Sequence, residues 1–81
     1  MSQIVLERKT KISLKEVLEK AKKTFVDKYG MTLEEESSCC LKFIGGGGFV
    51  YITVQEEEKQ TKVEIKSREW AEISKQFIKK L

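Results

Sequence analysis

Apolar and polar residues change period several times along the chain, and each change marks an element. Ser2 to Lys11 alternates weakly, with Ile4 and Leu6 on one side and Val5 on the other, which reads as a short strand. From Leu14 the period becomes helical. Leu14, Val17, Leu18, Ala21, Phe25 and Val26 form one stripe, and Tyr29 closes it. Ser13 and Glu16 frame its start as a Ser-x-x-Glu capping box, and Gly30 stands where a left-handed cap ends a helix. The pattern therefore predicts a helix from about Leu14 to Tyr29.

Met31 to Ile44 is β-prone but interrupted by Glu34-Glu35-Glu36-Ser37-Ser38. It reads either as one bent strand or as a short strand followed by a second. Gly45 to Gly48 then separates Leu41-Lys42-Phe43-Ile44 from Phe49-Val50-Tyr51-Ile52-Thr53-Val54, the signature of a hairpin tip. Centring the turn on the glycines pairs Phe43 with Val50, Leu41 with Ile52 and Cys39 with Val54. One hairpin face becomes wholly apolar, and the other carries Cys40, Lys42, Ile44, Phe49, Tyr51 and Thr53. A run of glycines longer than a tight turn needs makes Gly45, Gly46, Gly47 and Gly48 a candidate flexible loop. The same register carried further would set Glu35 against Glu58 and Glu36 against Glu57, an unfavourable opposition of like charges.

Glu56 to Gln60 is a polar turn, and Thr61 to Lys66 alternates cleanly with Val63 and Ile65 on one side. Ser67 is the expected cap of a final helix from about Arg68 to the terminus, carrying Trp70, Ile73, Ser74, Phe77, Ile78 and Leu81 at helical spacing. The expected order is β-α-β-β-β-α, an α+β fold in which an antiparallel-dominated sheet has both helices packed on one face. Phe25, Phe43, Trp70 and Phe77 are its candidate core or pocket side chains.

Composition narrows function chiefly by exclusion. With 81 residues the chain makes one domain, 1–81. Its 16 basic and 13 acidic residues are interleaved, so the net charge of +3 marks no strongly basic face. No segment reads as a signal peptide or membrane span, and the expected location is the cytoplasm. There is no histidine to activate a serine or cysteine. Two adjacent cysteines, Cys39 and Cys40, fall short of a zinc set. In a strand they would point to opposite faces, so both are expected as reduced thiols. The glycine run lacks the Lys-Ser/Thr and helix of a phosphate loop. No enzyme, metal or cofactor is therefore expected.

Ile44, Phe49 and Tyr51, with Lys42 beside them, lie on the hairpin face that no third layer covers, which points to an interface. The leading expectation is a non-catalytic interaction domain acting as a homodimer. A small apolar ligand held between sheet and helices is a second expectation. A third is RNA or DNA, with bases stacked on Phe49 and Tyr51 and phosphates met by lysines such as Lys15, Lys20, Lys22, Lys23 and Lys28.

Lys62-Val63-Glu64-Ile65-Lys66-Ser67-Arg68-Glu69-Trp70, running into an amphipathic helix, resembles the closing strand and helix of small helix-grip or TBP-like domains. That resemblance implies a sheet gripping a long helix, with a ligand held between them or pairing through the sheet. The central α-β-β-β-α run is also similar to double-stranded-RNA-binding domains. Ser67-Arg68-Glu69-Trp70 stands where that family carries a basic cluster.

Overall fold

The computed structural model describes residues 3–81. Met1 and Ser2, and with them the expected start of the first strand, lie outside the described residues. The elements run β1 (Ile4–Thr10), α1 (Leu14–Lys22), a π-helical segment (Lys23–Lys28), β2 (Thr32–Glu36), β3 (Cys40–Gly45), β4 (Gly48–Glu57), β5 (Gln60–Arg68) and α2 (Ala71–Lys79). The five strands form one open sheet in the order β1-β5-β4-β3-β2, antiparallel at every pairing. The observed order is β-α-β-β-β-β-α, one strand more than the shorter expectation. Of the two readings of Met31 to Ile44, the second is correct. The chain leaves the sheet at Ser37 and Ser38, and β2 and β3 pair with each other.

Alternation along the strands explains the layering. Leu41, Phe43, Val50, Ile52, Val54, Val63 and Ile65 are all buried on one face. They form a single cluster with Val17, Ala21 and Phe25 from the first helical stretch and Phe77 and Ile78 from α2. Both helices therefore cover the same face. β1 and β2 occupy opposite edges, so the helical stretch between them crosses the whole sheet. Phe25 is the keystone of that crossing, with ring centroids 5.2 Å from Phe43 and 5.4 Å from Phe77.

The first helix starts as its sequence predicts. Ser13 is the N-cap, and its hydroxyl accepts from the Glu16 N–H at 3.2 Å. The helix does not stay α-helical to Tyr29. From Lys23 the turns widen, and the Tyr29 N–H donates to the Thr24 carbonyl five residues back, at 3.2 Å. Val17, Ala21 and Phe25 are spaced by four, which overshoots the 3.6-residue turn, so their row drifts around an ideal helix. Wider turns reverse that drift. The Met31 N–H then closes the end on the Phe25 carbonyl at 2.8 Å, and Gly30 takes a φ of +71°.

α2 begins at Ala71, not Arg68, because β5 continues through Ser67 and Arg68. Ser67 is no helix cap. It is fully buried in the sheet, opposite Ile4 and Val50. The chain turns into α2 through Glu69, whose φ is +69°, and Trp70 holds the N-cap position without a side-chain cap bond.

The glycine run divides in two. Gly46 and Gly47 make the turn, with φ of +56° and +79°, while Gly45 and Gly48 pair as the last rung of the β3–β4 ladder. Gly48 meets a different constraint. A Cβ there would collide with the Arg68 carbonyl and with Glu69. Trp70 lies over the turn, donating Nε1–H to the Gly45 carbonyl at 2.8 Å, with Tyr29 edge-on to its ring at 6.1 Å.

Two stability predictions follow from these placements. The Ser74 hydroxyl is buried with no hydrogen-bond partner, a cost of about 1–3 kcal/mol. Ser74→Ala removes that cost and improves helix propensity. It should raise unfolding stability by about 1 kcal/mol in urea titrations; a loss would show that the hydroxyl is satisfied. Gly46→Ala should cost at least about 1–2 kcal/mol. A Cβ at this positive φ would also stand 3.3 Å from the Trp70 ring, and an unchanged unfolding midpoint would refute the pinning of the turn.

Candidate functional site

The face of the sheet away from the helices gathers the side chains singled out from sequence. β3–β4 pairing places Lys42 opposite Tyr51 and Ile44 opposite Phe49. β4–β5 pairing continues the same rows with Lys66 and Arg68. Ile44, Phe49, Tyr51 and Lys42 are all half-buried by one another and by their neighbours. Val5 on edge strand β1 is 58% exposed and lies across Lys66 from Tyr51, an apolar side chain at the sheet edge. A shallow concavity of about 350 Å³ lies here, lined by Gln3, Glu35, Lys42, Phe49, Tyr51 and Lys66.

Charge on this face is mixed. Glu7 stands opposite Glu64, and Lys9 opposite Lys62. These like pairs are relieved diagonally, by Lys62 to Glu7 at 3.7 Å and by Lys9 across to Glu57 at 3.5 Å. Lys42 reaches Glu34 on β2 at 3.1 Å, beside the bulge between Leu33 and Glu35. The two acidic runs do not face each other as the extended hairpin register would require. Glu35 pairs with Lys42 and Glu36 with Leu41, while Glu57 pairs with Gln60 across the β4–β5 turn. The bend at Ser37 and Ser38 turns the first run into a separate edge strand.

Cys39 and Cys40 do not remain as two thiols; they are bonded to each other. The alternation that would separate them holds only inside a strand, and β3 starts at Cys40. Cys39 belongs to the preceding turn, where its carbonyl accepts from the Val54 N–H at 2.8 Å.

The four candidate core or pocket aromatics separate into two places. Phe25, Phe43 and Phe77 are buried between the sheet and the helices. Trp70 is half-buried at the hairpin tip.

A second concavity brings together Phe77, a candidate core or pocket residue from sequence, with Lys20, Lys23 and Lys28, named there as candidate phosphate contacts. It lies between the π-helical segment and α2, with a volume of about 270 Å³. Its walls carry Lys20, Lys23, Lys28 and Lys80 over Tyr29, Ile73, Phe77 and Leu81. The sequence signal for it is weak, because the lysines come from segments separated by half the chain and acidic residues stand between them. Among the described residues no group of three or more His, Cys, Asp or Glu side chains is placed to hold a metal. No helix there is long and apolar enough to cross a membrane.

Neither a protein-family model nor a curated protein matches this chain.

The ion pairs set a pH expectation. Hydrogen bonds donated to the Glu36 and Glu34 carboxylates raise the Lys22 and Lys42 ammonium groups above their ordinary 10.5. A raised lysine contributes stability that is complete below the unfolded-state value and is lost as pH climbs through the folded one. The contribution of these pairs should therefore be constant at neutral pH and be lost only as pH rises above 10.5. Lys42→Met should flatten that alkaline limb, and an identical limb in the variant would refute the assignment.

Proposed function

We propose that this protein is a non-catalytic interaction domain that pairs with a second copy of itself through the open face of its sheet. The observation that carries this reading is one-sided layering: both helices pack on one face, leaving Ile44, Phe49 and Tyr51 together on the other, with Val5 beyond Lys66 at the edge. Contiguous apolar surface rimmed by polar groups marks interaction sites. The mixed charge of the rim favours a like partner. Lys66 and Arg68 lie towards the hairpin-tip end, and Glu7 and Glu64 lie further along the same strands. Two copies related by a two-fold axis can therefore oppose unlike charges. A duplex or single strand would meet Glu7, Glu35 and Glu64 on the same surface, which disfavours nucleic acid. The strand-helix-sheet-helix order keeps its resemblance to helix-grip domains, whose sheets also serve in pairing.

Sedimentation equilibrium should show a dimer with a dissociation constant below about 1 mM, or about −4 kcal/mol of association. Val5→Lys changes an exposed side chain and should preserve the fold while weakening the dimer. Phe49→Glu should abolish the dimer. A strict monomer at that concentration would overturn the reading, as would salt-sensitive RNA or DNA binding lost in Phe49→Glu.

A further inference from the structure

We infer that the cleft between the π-helical segment and α2 is a binding site for a small amphiphilic anion, a carboxylate or phosphate monoester carrying a short apolar body. The cleft lies in the helix layer, on the side away from the open sheet face, so the inference does not depend on self-pairing.

Its charge asymmetry is the first support. Lys20, Lys23, Lys28 and Lys80 line the cleft, and no carboxylate side chain does. The ion pairs of the described residues employ Lys9, Lys22, Lys42, Lys62 and Lys75, and none of the cleft lysines. On a chain with 13 acidic residues, that leaves one concavity whose charged side chains are all basic. Lys23 alone also borders an adjoining groove with Glu19 and Asp27.

The floor is the second support. Tyr29, Ile73 and Leu81 are half-buried and Phe77 is buried, so apolar side chains share the cleft with the lysines, and the Lys28 ammonium lies over the Tyr29 ring at 5.4 Å. Inorganic phosphate would leave that floor wet, and a neutral hydrocarbon would leave the lysines unpaired. The volume of about 270 Å³ falls just under the range of drug-sized sites, so the occupant is small.

The backbone is the third support. Wide π turns interrupt α-helices frequently at functional sites. This one supplies Lys23, Thr24 and Lys28 to the cleft and delivers Tyr29 at its end.

Calorimetric titration of the full chain with octyl phosphate and octanoate tests the inference. Both should bind and raise the melting temperature by mass action. Octanol, octylamine and inorganic phosphate should each bind at least about tenfold more weakly, a difference of about 1.4 kcal/mol. Gln76→Glu places a carboxylate among the lysines at an exposed helix position and should weaken octyl phosphate at least about fivefold. Lys23→Gln with Lys28→Gln should do the same, while Lys66→Gln on the opposite face should change nothing. Equal affinity for octanol would make the site merely apolar, and equal affinity for inorganic phosphate would make it merely basic; either result overturns the inference. So would displacement of octyl phosphate by a short oligothymidylate at lower concentration, which would assign the lysines to a nucleic-acid backbone.

Discussion

The fold depends on one register. Gly46 and Gly47 allow β3 to return as β4 with no slack, and this sets Leu41 against Ile52 and Phe43 against Val50. Slipping β4 by one residue against β3 would turn Tyr51 toward the helices and expose Ile52, because strand side chains alternate strictly. Trp70 reinforces the register from outside the ladder. Its indole bonds the Gly45 carbonyl and covers Gly46, tying the hairpin tip to the start of α2. Tyr29 brings the end of the first helical stretch to the same point. Three separate parts of the chain are thus held at one corner.

That corner also explains a local cost. Glu69 is the one non-glycine residue with positive φ among those described, a conformation disfavoured by about 1–2 kcal/mol. β5 must run to Arg68 to complete its pairing with Phe49, yet α2 must begin within three residues to set Trp70 over the turn. Glu69 absorbs the change of direction. Gly48 leaves room for it on the neighbouring strand, where any side chain would strike Arg68 and Glu69.

Much of this was legible in the residues, for physical reasons that differ between elements. Period and capping located the first helix because Ser13 and its apolar stripe act locally. The β3–β4 register followed from glycine turn chemistry alone. Failures fell where a distant element decides the outcome. Ser67 has the chemistry of a helix cap, but pairing of β5 between β1 and β4 held it in the sheet. The π turns surround Phe25, which meets Phe43 and Phe77, contacts that local periodicity does not contain. Extending the hairpin register past Cys39 failed because nothing local to the acidic run signals that the chain leaves the sheet at Ser37 and Ser38. Of the two surfaces, the open face could be named from strand alternation, whereas the interhelical cleft required knowing which helix faces meet.

The cleft shows how a chain with interleaved charges acquires a segregated surface. Around the first helical stretch, Glu16, Glu19 and Asp27 alternate with lysines in sequence, yet they line other grooves. On α2, Glu72 lies towards Lys75 at 3.9 Å, away from the cleft walls. Folding sorts the signs because packing Val17, Ala21 and Phe25 against the sheet fixes which helix flank turns toward α2. The row on that flank, Lys20, Lys23 and Lys28, contains no acid. The wide turns then decide where the row ends, carrying Lys28 and Tyr29 to the position where α2 presents Phe77, Lys80 and Leu81. A straight α-helix over the same residues would give Lys28 and Tyr29 a different bearing, because wide turns sweep less angle per residue than α turns. The helical irregularity and the basic cleft therefore meet in one segment, the one that also seats Phe25 against the core.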